Sequence, residues 1–281
     1  RDVQYEGHGS FASTLEAVRD GVADYAILPV ENTTAGSINE AYDLLARMNV
    51  ALVGEEIQRV DHCLLGLPGA ALENLQRVFS HPQGLLQTSA FLQTLPKARR
   101  EAWDDTASSA KRVAADGDPT QAAVASEDAA RRYGLEILAR DIANQRENFT
   151  RMVVVARRPI KVDPRIPCKT TILFATKHEH GALLKCLNIL DRAGLNLTKL
   201  ESRPRPNTPW EYLFYVDFEG NVADPDTSDA IAELGSATSY LKVLGSYPAK
   251  NVASTRPAKP RREAAPAVSA TPHEPRFAGL D

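Results

Sequence analysis

The sequence predicts an α/β chain in which two different sheet architectures follow one another. Up to about residue 158, short apolar strands alternate with helices, a pattern typical of a sheet with helices on both faces. From residue 168 the order becomes strand, helix, strand, strand, helix, strand, which is the ferredoxin-like βαββαβ pattern. Prolines concentrate between these blocks and after residue 250. We therefore expect domains at 1–158 and 168–249, followed by a disordered tail at 250–281.

Apolar runs and stop signals place the elements of the first block. Gly21, Pro96 and Gly134 each follow a stretch with helical spacing, and Pro29 ends a short apolar run. We expect a strand and loop over 3–11 before the first helix. The predicted helices are 14–19, 41–48, 85–95, 107–115 and 128–133, and the predicted strands are 25–28, 78–79, 122–125 and 152–156.

A period of two marks the clearest strand of the second block. Apolar residues occupy every second position from Trp210 to Phe218, as in a half-buried strand. Leu183, Cys186 and Leu190 share one face of a helix that Gly194 ends. The predicted strands are 170–176, 195–203, 210–219 and 240–243, and the predicted helices are 181–193 and 228–234.

Composition excludes several function classes. The 281 residues are 43% hydrophobic and 25% charged, which is ordinary globular composition and excludes disorder of the whole chain. The formal net charge of -3 argues against binding to nucleic acid phosphates. No apolar run reaches the roughly 18 residues of a membrane span, and the first residues lack a secretory signal. Three scattered cysteines fit reduced thiols in a cytoplasmic protein that binds neither nucleic acid nor membrane.

Four loops of the first block place polar residues beyond the ends of predicted strands. These loops are 29–37, 80–83, 104–107 and 148–151. Each one alone is typical of a helix cap, because Asn, Asp, Ser and Thr accept hydrogen bonds from free backbone N–H groups. Together they bring hydroxyls, amides, a histidine and an arginine to one edge of the sheet, where ligands of α/β proteins bind. We therefore predict a polar site for a small anionic ligand.

The loop residues also form motifs in a fixed order. The motifs are Leu28-Pro29-Val30-Glu31-Asn32-Thr33-Thr34-Ala35-Gly36-Ser37-Ile38, Ser80-His81-Pro82-Gln83, Asp105-Thr106-Ala107 and Asn148-Phe149-Thr150-Arg151-Met152. This set resembles prephenate dehydratase, an enzyme that also occurs as one part of a bifunctional chorismate mutase–prephenate dehydratase. Gly181-Ala182-Leu183 and Glu201-Ser202-Arg203-Pro204 resemble the phenylalanine-binding motifs of the ACT domain that follows that catalytic domain. The resemblance runs from about Ser10 to Pro248.

The resemblance implies a fold and a reaction. The catalytic domain should have two α/β lobes, like a type II periplasmic binding protein, with the site in the cleft and a ferredoxin-like ACT domain behind it. One lobe should comprise roughly residues 1–60 and 145–158. The implied reaction converts prephenate to phenylpyruvate with loss of water and carbon dioxide. Because aromatisation supplies the driving force, no metal or other cofactor is expected.

The resemblance also assigns roles to residues. Loss of the ring hydroxyl needs a proton donor, and the substrate carboxylates need hydrogen-bond donors. Thr150 is expected to hydrogen bond the leaving hydroxyl, and Arg151 is expected to bind a carboxylate in bidentate geometry. The substrate-binding shell should comprise Glu31, Asn32, Thr33, His81, Gln83, Thr106 and Asn148, with Glu31 orienting the others.

L-Phenylalanine is the expected effector. Gly181 opens a helix, so the backbone N–H groups there are accessible to an amino-acid carboxylate. The expected contacts are Gly181, Ala182, Leu183, Asn196, Glu201, Ser202, Arg203 and Pro204, arranged across a subunit interface of a homodimer or homotetramer. Binding there should inhibit the enzyme by feedback.

The N-terminal region departs from the family pattern. Residues 5–11 imitate part of the Gly-rich loop of the family, but only 19 residues, 12 to 30, separate Phe11 from Glu31. That spacing is too short for the helix and strands that usually intervene. We therefore expect the first strand and its active-site loop to be missing, with no chorismate mutase segment in front. Two alternatives stay open, a non-catalytic phenylalanine-binding regulator and an arogenate dehydratase.

Overall fold

The computed structural model describes residues 3–205, 208 and 211–250 of the chain. The predicted tail after residue 250 and Trp210 lie outside the described residues. In the first block the elements are α1 (Phe11–Arg19), β1 (Tyr25–Asn32), β2 (Gly36–Ser37), α2 (Asn39–Arg47), β3 (Ala51–Arg59), β4 (Cys63–Gly66), β5 (Arg77–Ser80), α3 (Pro82–Gln87), α4 (Ser89–Leu92), β6 (Arg99–Ala102), α5 (Thr106–Asp116), β7 (Gln121–Ala125), α6 (Glu127–Tyr133), β8 (Glu136–Ala139) and β9 (Phe149–Ala156). In the second block they are β10 (Cys168–Thr176), α7 (Ala182–Arg192), β11 (Leu197–Pro204), β12 (Tyr212–Glu219), α8 (Pro225–Ala237) and β13 (Thr238–Pro248).

The first block folds into two lobes, as predicted. The first lobe has the sheet order β2-β1-β9-β3, and the second has the order β6-β5-β7-β4-β8. Separate apolar cores stabilise them, with Leu28 and Leu45 in the first lobe and Phe79 and Ala123 in the second. The chain crosses between the lobes twice, after β3 and before β9. The expected division, 1–60 with 145–158 against the residues between, is confirmed.

Several predicted elements of the first block were wrong in extent or kind. Residues 3–8 form no regular element, and α1 begins at Phe11 because Ser10 and Ser13 form a capping box. The strand predicted to end at Leu28 continues to Asn32, since Pro29 lies at a register shift where it need not donate to the ladder. The helix predicted over 85–95 is instead the two short helices α3 and α4.

The second block forms one antiparallel sheet, here called the third sheet, with strand order β11-β12-β10-β13. Its element order is the βαββαβ order predicted from the sequence. The helices α7 and α8 cover one face, where Phe174, Cys186, Phe218 and Leu234 are buried together. No helix among the described residues combines the length and the apolar character needed to cross a bilayer.

The other face of the third sheet packs directly on the first lobe. Leu173, Tyr215 and Tyr247 belong to the same core cluster as Leu28 and Leu45. The ammonium group of Lys242 donates to the carbonyl oxygens of Leu45 (3.0 Å), Ala46 (3.3 Å) and Met48 (2.7 Å), which satisfies the C-terminal end of α2. Burial lowers the pKa of Lys242. The two units therefore share a core and a helix cap.

A buried ion-pair cluster lies within this interface. Arg151 donates from Nε to Glu55 (2.7 Å), forms an ion pair with Asp217, and donates from its second terminal nitrogen to the hydroxyl of Tyr247 (2.9 Å). Lys169 donates to Glu55 at 2.9 Å. The Glu55 side chain is fully buried and that of Asp217 is 5% exposed. Two cations and two anions thus neutralise one another where water is excluded.

We predict that Gly245→Ala destabilises the interface between the third sheet and the first lobe. A methyl group at position 245 would overlap the carbonyl oxygen of Leu52, and backbone atoms of β3 cannot move aside without moving the strand. Urea unfolding should show a loss of about 2 kcal/mol or more. Gly235→Ala in α8 is the matched control, because its methyl would only touch Leu241 at 3.5 Å. Equal stability of the two variants would contradict the described packing.

We predict that Glu55 makes stability fall in acid. Burial acts to raise the pKa of Glu55, but Arg151 and Lys169 outweigh it, so the folded pKa is lowered. Its contribution is therefore present above the unfolded pKa, about 4.3, and is lost as the pH falls through the folded value. Glu55→Gln should cost about 3 kcal/mol at pH 7 and flatten the acid limb of the unfolding free energy.

The control for this prediction is Glu56, the next residue of the same strand. Glu56 pairs with Lys250 on the surface, where both side chains are nearly half exposed. Glu56→Gln should leave both the unfolding free energy at pH 7 and its acid dependence nearly unchanged. A wild-type acid limb that Glu55→Gln does not alter would show that other groups cause it.

Candidate active site

A cavity of about 180 Å³ lies where the two lobes meet. Its walls come from the loop after β1, from α3 and the start of α4, and from the crossing that precedes β9. The lining residues are Thr34, Gln83, Leu86, Gln87, Ser89, Ala143, Asn144, Gln145 and Asn148. None of these nine residues is acidic, so the walls suit an anionic ligand.

Asn32 is the central residue behind this cavity. It is 8% exposed, and its amide nitrogen donates to Asn148 Oδ1 (2.7 Å), to the Phe149 carbonyl (3.2 Å) and to Thr150 Oγ (3.1 Å). Its amide oxygen accepts from the backbone N–H groups of Thr34 (3.0 Å) and Ala35 (2.9 Å). The side chain therefore ties the end of β1 to the start of β9.

The hydrogen bond from Asn32 determines what the Thr150 hydroxyl can do. Asn32 and Thr150 lie opposite each other in the β1–β9 ladder. Because Thr150 Oγ accepts from Asn32, its own hydrogen points to another partner, and accepting one hydrogen bond strengthens the hydroxyl as a donor. The Thr150 hydroxyl can thus act as a hydrogen-bond donor, and its expected contact with a leaving hydroxyl stays a prediction.

Gln87 completes the network, and the sequence analysis did not find it. Its amide oxygen accepts from Asn148 Nδ2 (3.1 Å) and from His62 Nε2 (2.8 Å). Its amide nitrogen donates to Asn32 Oδ1 (3.3 Å) and to the Thr34 hydroxyl. Gln87 lies in the interior of the segment predicted as one long helix, so no loop motif marked it. The recognisable signal was a glutamine one turn after the His81 motif.

The remaining predicted residues of the first block have different positions. Gln83 lines the cavity. Thr33 accepts at Oγ from the Phe149 N–H (2.9 Å) and donates to the Glu147 carbonyl (3.3 Å), so it fastens the crossing. His81 is exposed and caps α3 by accepting from the Gln83 N–H at 3.1 Å. Thr106 begins α5 and is not among the residues that line the described cavity.

The structure corrects the predicted positions of Arg151 and Glu31. Successive side chains of a strand point to opposite faces, so Arg151 faces away from the cavity that its neighbour Thr150 serves. Its guanidinium is bound to Glu55, Asp217 and Tyr247 on the side of the third sheet. Glu31 likewise faces the third sheet, where its carboxylate lies 3.1 Å from Lys199 Nζ.

The predicted effector residues divide into two groups. Gly181 caps α7 in the left-handed conformation, Ala182 and Leu183 begin that helix, and Asn196 donates to Glu219 at 2.9 Å. On β11, Ser202 and Pro204 are exposed. Glu201 and Arg203 point the other way and bind the first lobe: Glu201 accepts from Ser37 (2.8 Å), and Arg203 donates to Asp43 (2.9 Å).

The chain is similar in sequence to known proteins. A model of the family described as prephenate dehydratase matches residues 1–160. The bifunctional chorismate mutase/prephenate dehydratase of Enterobacter agglomerans is 42% identical over 252 residues, which are 90% of this chain and 64% of that protein. Arogenate dehydratase 5, chloroplastic, of Arabidopsis thaliana is 44% identical over 255 residues, covering 85% of this chain and 60% of that protein. The chain thus spans less than two thirds of the length of these curated relatives.

Two solved structures are similar over most of the chain. The prephenate dehydratase of Arthrobacter aurescens, solved in complex with L-Phe, has a TM-score of 0.79 and 29% identity, covering 89% of this chain and 82% of that one. A protein described as a novel type of quorum quenching acylase has a TM-score of 0.79 and 36% identity, covering 88% and 89%. With its two lobes, its identity to such enzymes and the match of the family model to more than half its length, the chain belongs to the prephenate dehydratase family.

Proposed function

We propose that the chain converts prephenate to phenylpyruvate, with loss of water and carbon dioxide. The observation that supports this most directly is the Asn32–Thr150 pair, which presents a hydroxyl donor at the junction of two lobes. The neutral amide walls of the cavity support it further, because prephenate carries two carboxylates and would be repelled by acidic groups.

The reaction needs one proton donor and a fixed substrate geometry. The ring carbon–oxygen bond breaks, and the hydroxyl leaves as water after taking a proton. The bond to the ring carboxylate also breaks, its electron pair completes the aromatic ring, and carbon dioxide is released. Thr150 would donate a hydrogen bond to the leaving oxygen, and the amides of Gln83 and Gln145 would hold carboxylates.

Arogenate is the alternative substrate to prephenate. Arogenate differs from prephenate by an amino group in place of the keto group, and arogenate dehydratases are among the similar proteins. Assays of both substrates side by side, at equal concentration, decide between them.

The site gives no comparable support to the acylase activity named for one structural neighbour. Burial raises the pKa of the three cysteine thiols, and the Ser89 hydroxyl accepts from Asn144 at 3.0 Å.

We predict that Thr150→Val lowers kcat for prephenate by about 100-fold or more, because it removes the hydroxyl and keeps the volume and β-branching. Thr150→Ser keeps the hydroxyl and should retain most activity. Phenylpyruvate formation, followed by its absorbance in alkali, measures both. Full activity of Thr150→Val would exclude the proposed role, and inactivity of the wild type toward both substrates would exclude the proposed function.

We further propose that the third sheet, with α7 and α8, is an ACT-type regulatory domain that binds L-phenylalanine in a homo-oligomer. The Gly181 turn and the exposed Ser202 supply part of such a site. The similar enzyme of Arthrobacter aurescens was solved with L-Phe, which supports the choice of ligand.

We predict that L-phenylalanine at about 100 times its Kd raises the Tm by about 5 °C and lowers turnover, whereas D-phenylalanine does neither. Thermal unfolding with each enantiomer measures the first effect. Thr150→Val should keep the shift, since its substitution is remote from the effector residues. A shift in a wild type that turns over neither substrate would favour the non-catalytic regulator instead.

A further inference from the structure

Asn32 and Thr150 have a second pair of residues, Glu31 and Arg151, next to them on the same two strands. In the β1–β9 ladder, Asn32 lies opposite Thr150, and Glu31 lies opposite Arg151. Because side chains alternate along each strand, the first pair lies on the side of Asn148 and Gln87, which line the cavity and hydrogen bond Asn32, and the second pair faces the third sheet. Glu31 and Arg151 are the chain neighbours of Asn32 and Thr150, so a shift of their backbone is passed on to the first pair.

The third sheet presents a complementary pair at the same place. Lys199 on β11 lies opposite Asp217 on β12. Lys199 Nζ is 3.1 Å from the Glu31 carboxylate, and Asp217 is ion-paired with Arg151. An anion and a cation of the first lobe thus meet a cation and an anion of the third sheet.

The Arg151–Asp217 contact is buried, whereas in the Glu31–Lys199 contact the Glu31 side chain is 37% exposed. The exposed fractions of the Lys199, Asp217 and Arg151 side chains are 10%, 5% and 13%. Asp217 also accepts from the Thr171 hydroxyl at 2.6 Å, which fixes the carboxylate on its own sheet. Removing Asp217 would leave two buried cations, Arg151 and Lys169, with the single carboxylate of Glu55, so the interface would have to rearrange.

We propose that Lys199 and Asp217 are positioning residues that hold the Asn32–Thr150 pair from behind. This inference rests on the proposed dehydratase function. The third sheet then forms part of the catalytic machinery, because it fixes the two strand ends that carry the donor and its partner. Hydrogen-bond donation to a leaving group depends steeply on position, so a small displacement of Thr150 should slow the chemical step and leave substrate binding nearly unchanged.

Steady-state kinetics with prephenate test this inference on the full chain. Asp217→Asn and Lys199→Met should each lower kcat about tenfold and change KM by less than about twofold. The matched control is Asp43→Asn, which breaks the ion pair with Arg203 at the same interface but lies on α2, away from the pair. The control should keep the wild-type kcat. In Lys199→Glu, the second substitution Glu31→Lys should restore kcat, because it restores the opposite charges.

Hydrogen exchange gives a readout that does not depend on turnover. The Thr33 amide donates to the Phe149 carbonyl (2.9 Å) and the Val60 amide to the Asn148 carbonyl (2.8 Å), so both report on the strand ends. Asp217→Asn and Lys199→Met should speed exchange of these amides at least about tenfold, and Asp43→Asn should not. If the wild type turns over no prephenate, the proposed function fails, and the exchange rates still decide the inference.

Either of two results would overturn the proposal that Lys199 and Asp217 are positioning residues. One is a wild-type kcat in Lys199→Met with unchanged exchange at the two amides, which would limit the contacts to holding the domains together. The other is an equal loss of kcat in Asp43→Asn, which would show a general effect of weakening the interface. Lys199→Met decides the matter alone if Asp217→Asn does not fold.

Discussion

The burial of one guanidinium constrains much of the structure. Arg151 occupies the interior of the interface between the first lobe and the third sheet, where a cation needs anionic partners and hydrogen-bond acceptors. Glu55 supplies one from β3 and Asp217 supplies the other from β12, so three strands of two different sheets must be in register around it. Strand β9 is thereby fixed by residues that do not line the cavity.

That constraint explains which part of the site the sequence could predict. The motif order identified Asn32, Asn148, Thr150 and Gln83. Gln83 and Asn148 line the cavity, and Asn32 joins Asn148 to Thr150 by hydrogen bonds. The same motif placed Arg151 beside the substrate, although adjacent strand residues cannot both face one cavity. A local motif specifies residue types, whereas Asp217, 66 residues further along the chain, decides which partner Arg151 meets in the third sheet. Gln87 was missed because its role depends on a helix break at Thr88 that no apolar spacing showed.

The fold was predictable where a face of an element is uniformly apolar. The third sheet followed from a period of two and from helical spacing on α7, because each of its elements buries one face against the others. Strand β3 was not predicted, although its first residues are buried, because Glu55 and Glu56 interrupt the apolar pattern. Their charges are paired with Arg151, Lys169 and Lys250, all remote in sequence. A charged residue in a strand is therefore ambiguous until its partner is known.

The charged side chains of this region lie apart from the walls of the cavity. The cavity walls are neutral amides, hydroxyls and apolar groups, while the charged residues next to Thr150 and Asn32 in sequence, Arg151 and Glu31, face the third sheet and are ion-paired there. A neutral hydroxyl is a weak acid, so any contribution of Thr150 to a dehydration depends on its geometry at the leaving oxygen and little on its acidity. Geometry of that kind requires a rigid support, and a saturated hydrogen-bond network in front with paired charges behind provides it. The third sheet packs behind both strand ends, so a change in its position relative to the first lobe would change their support.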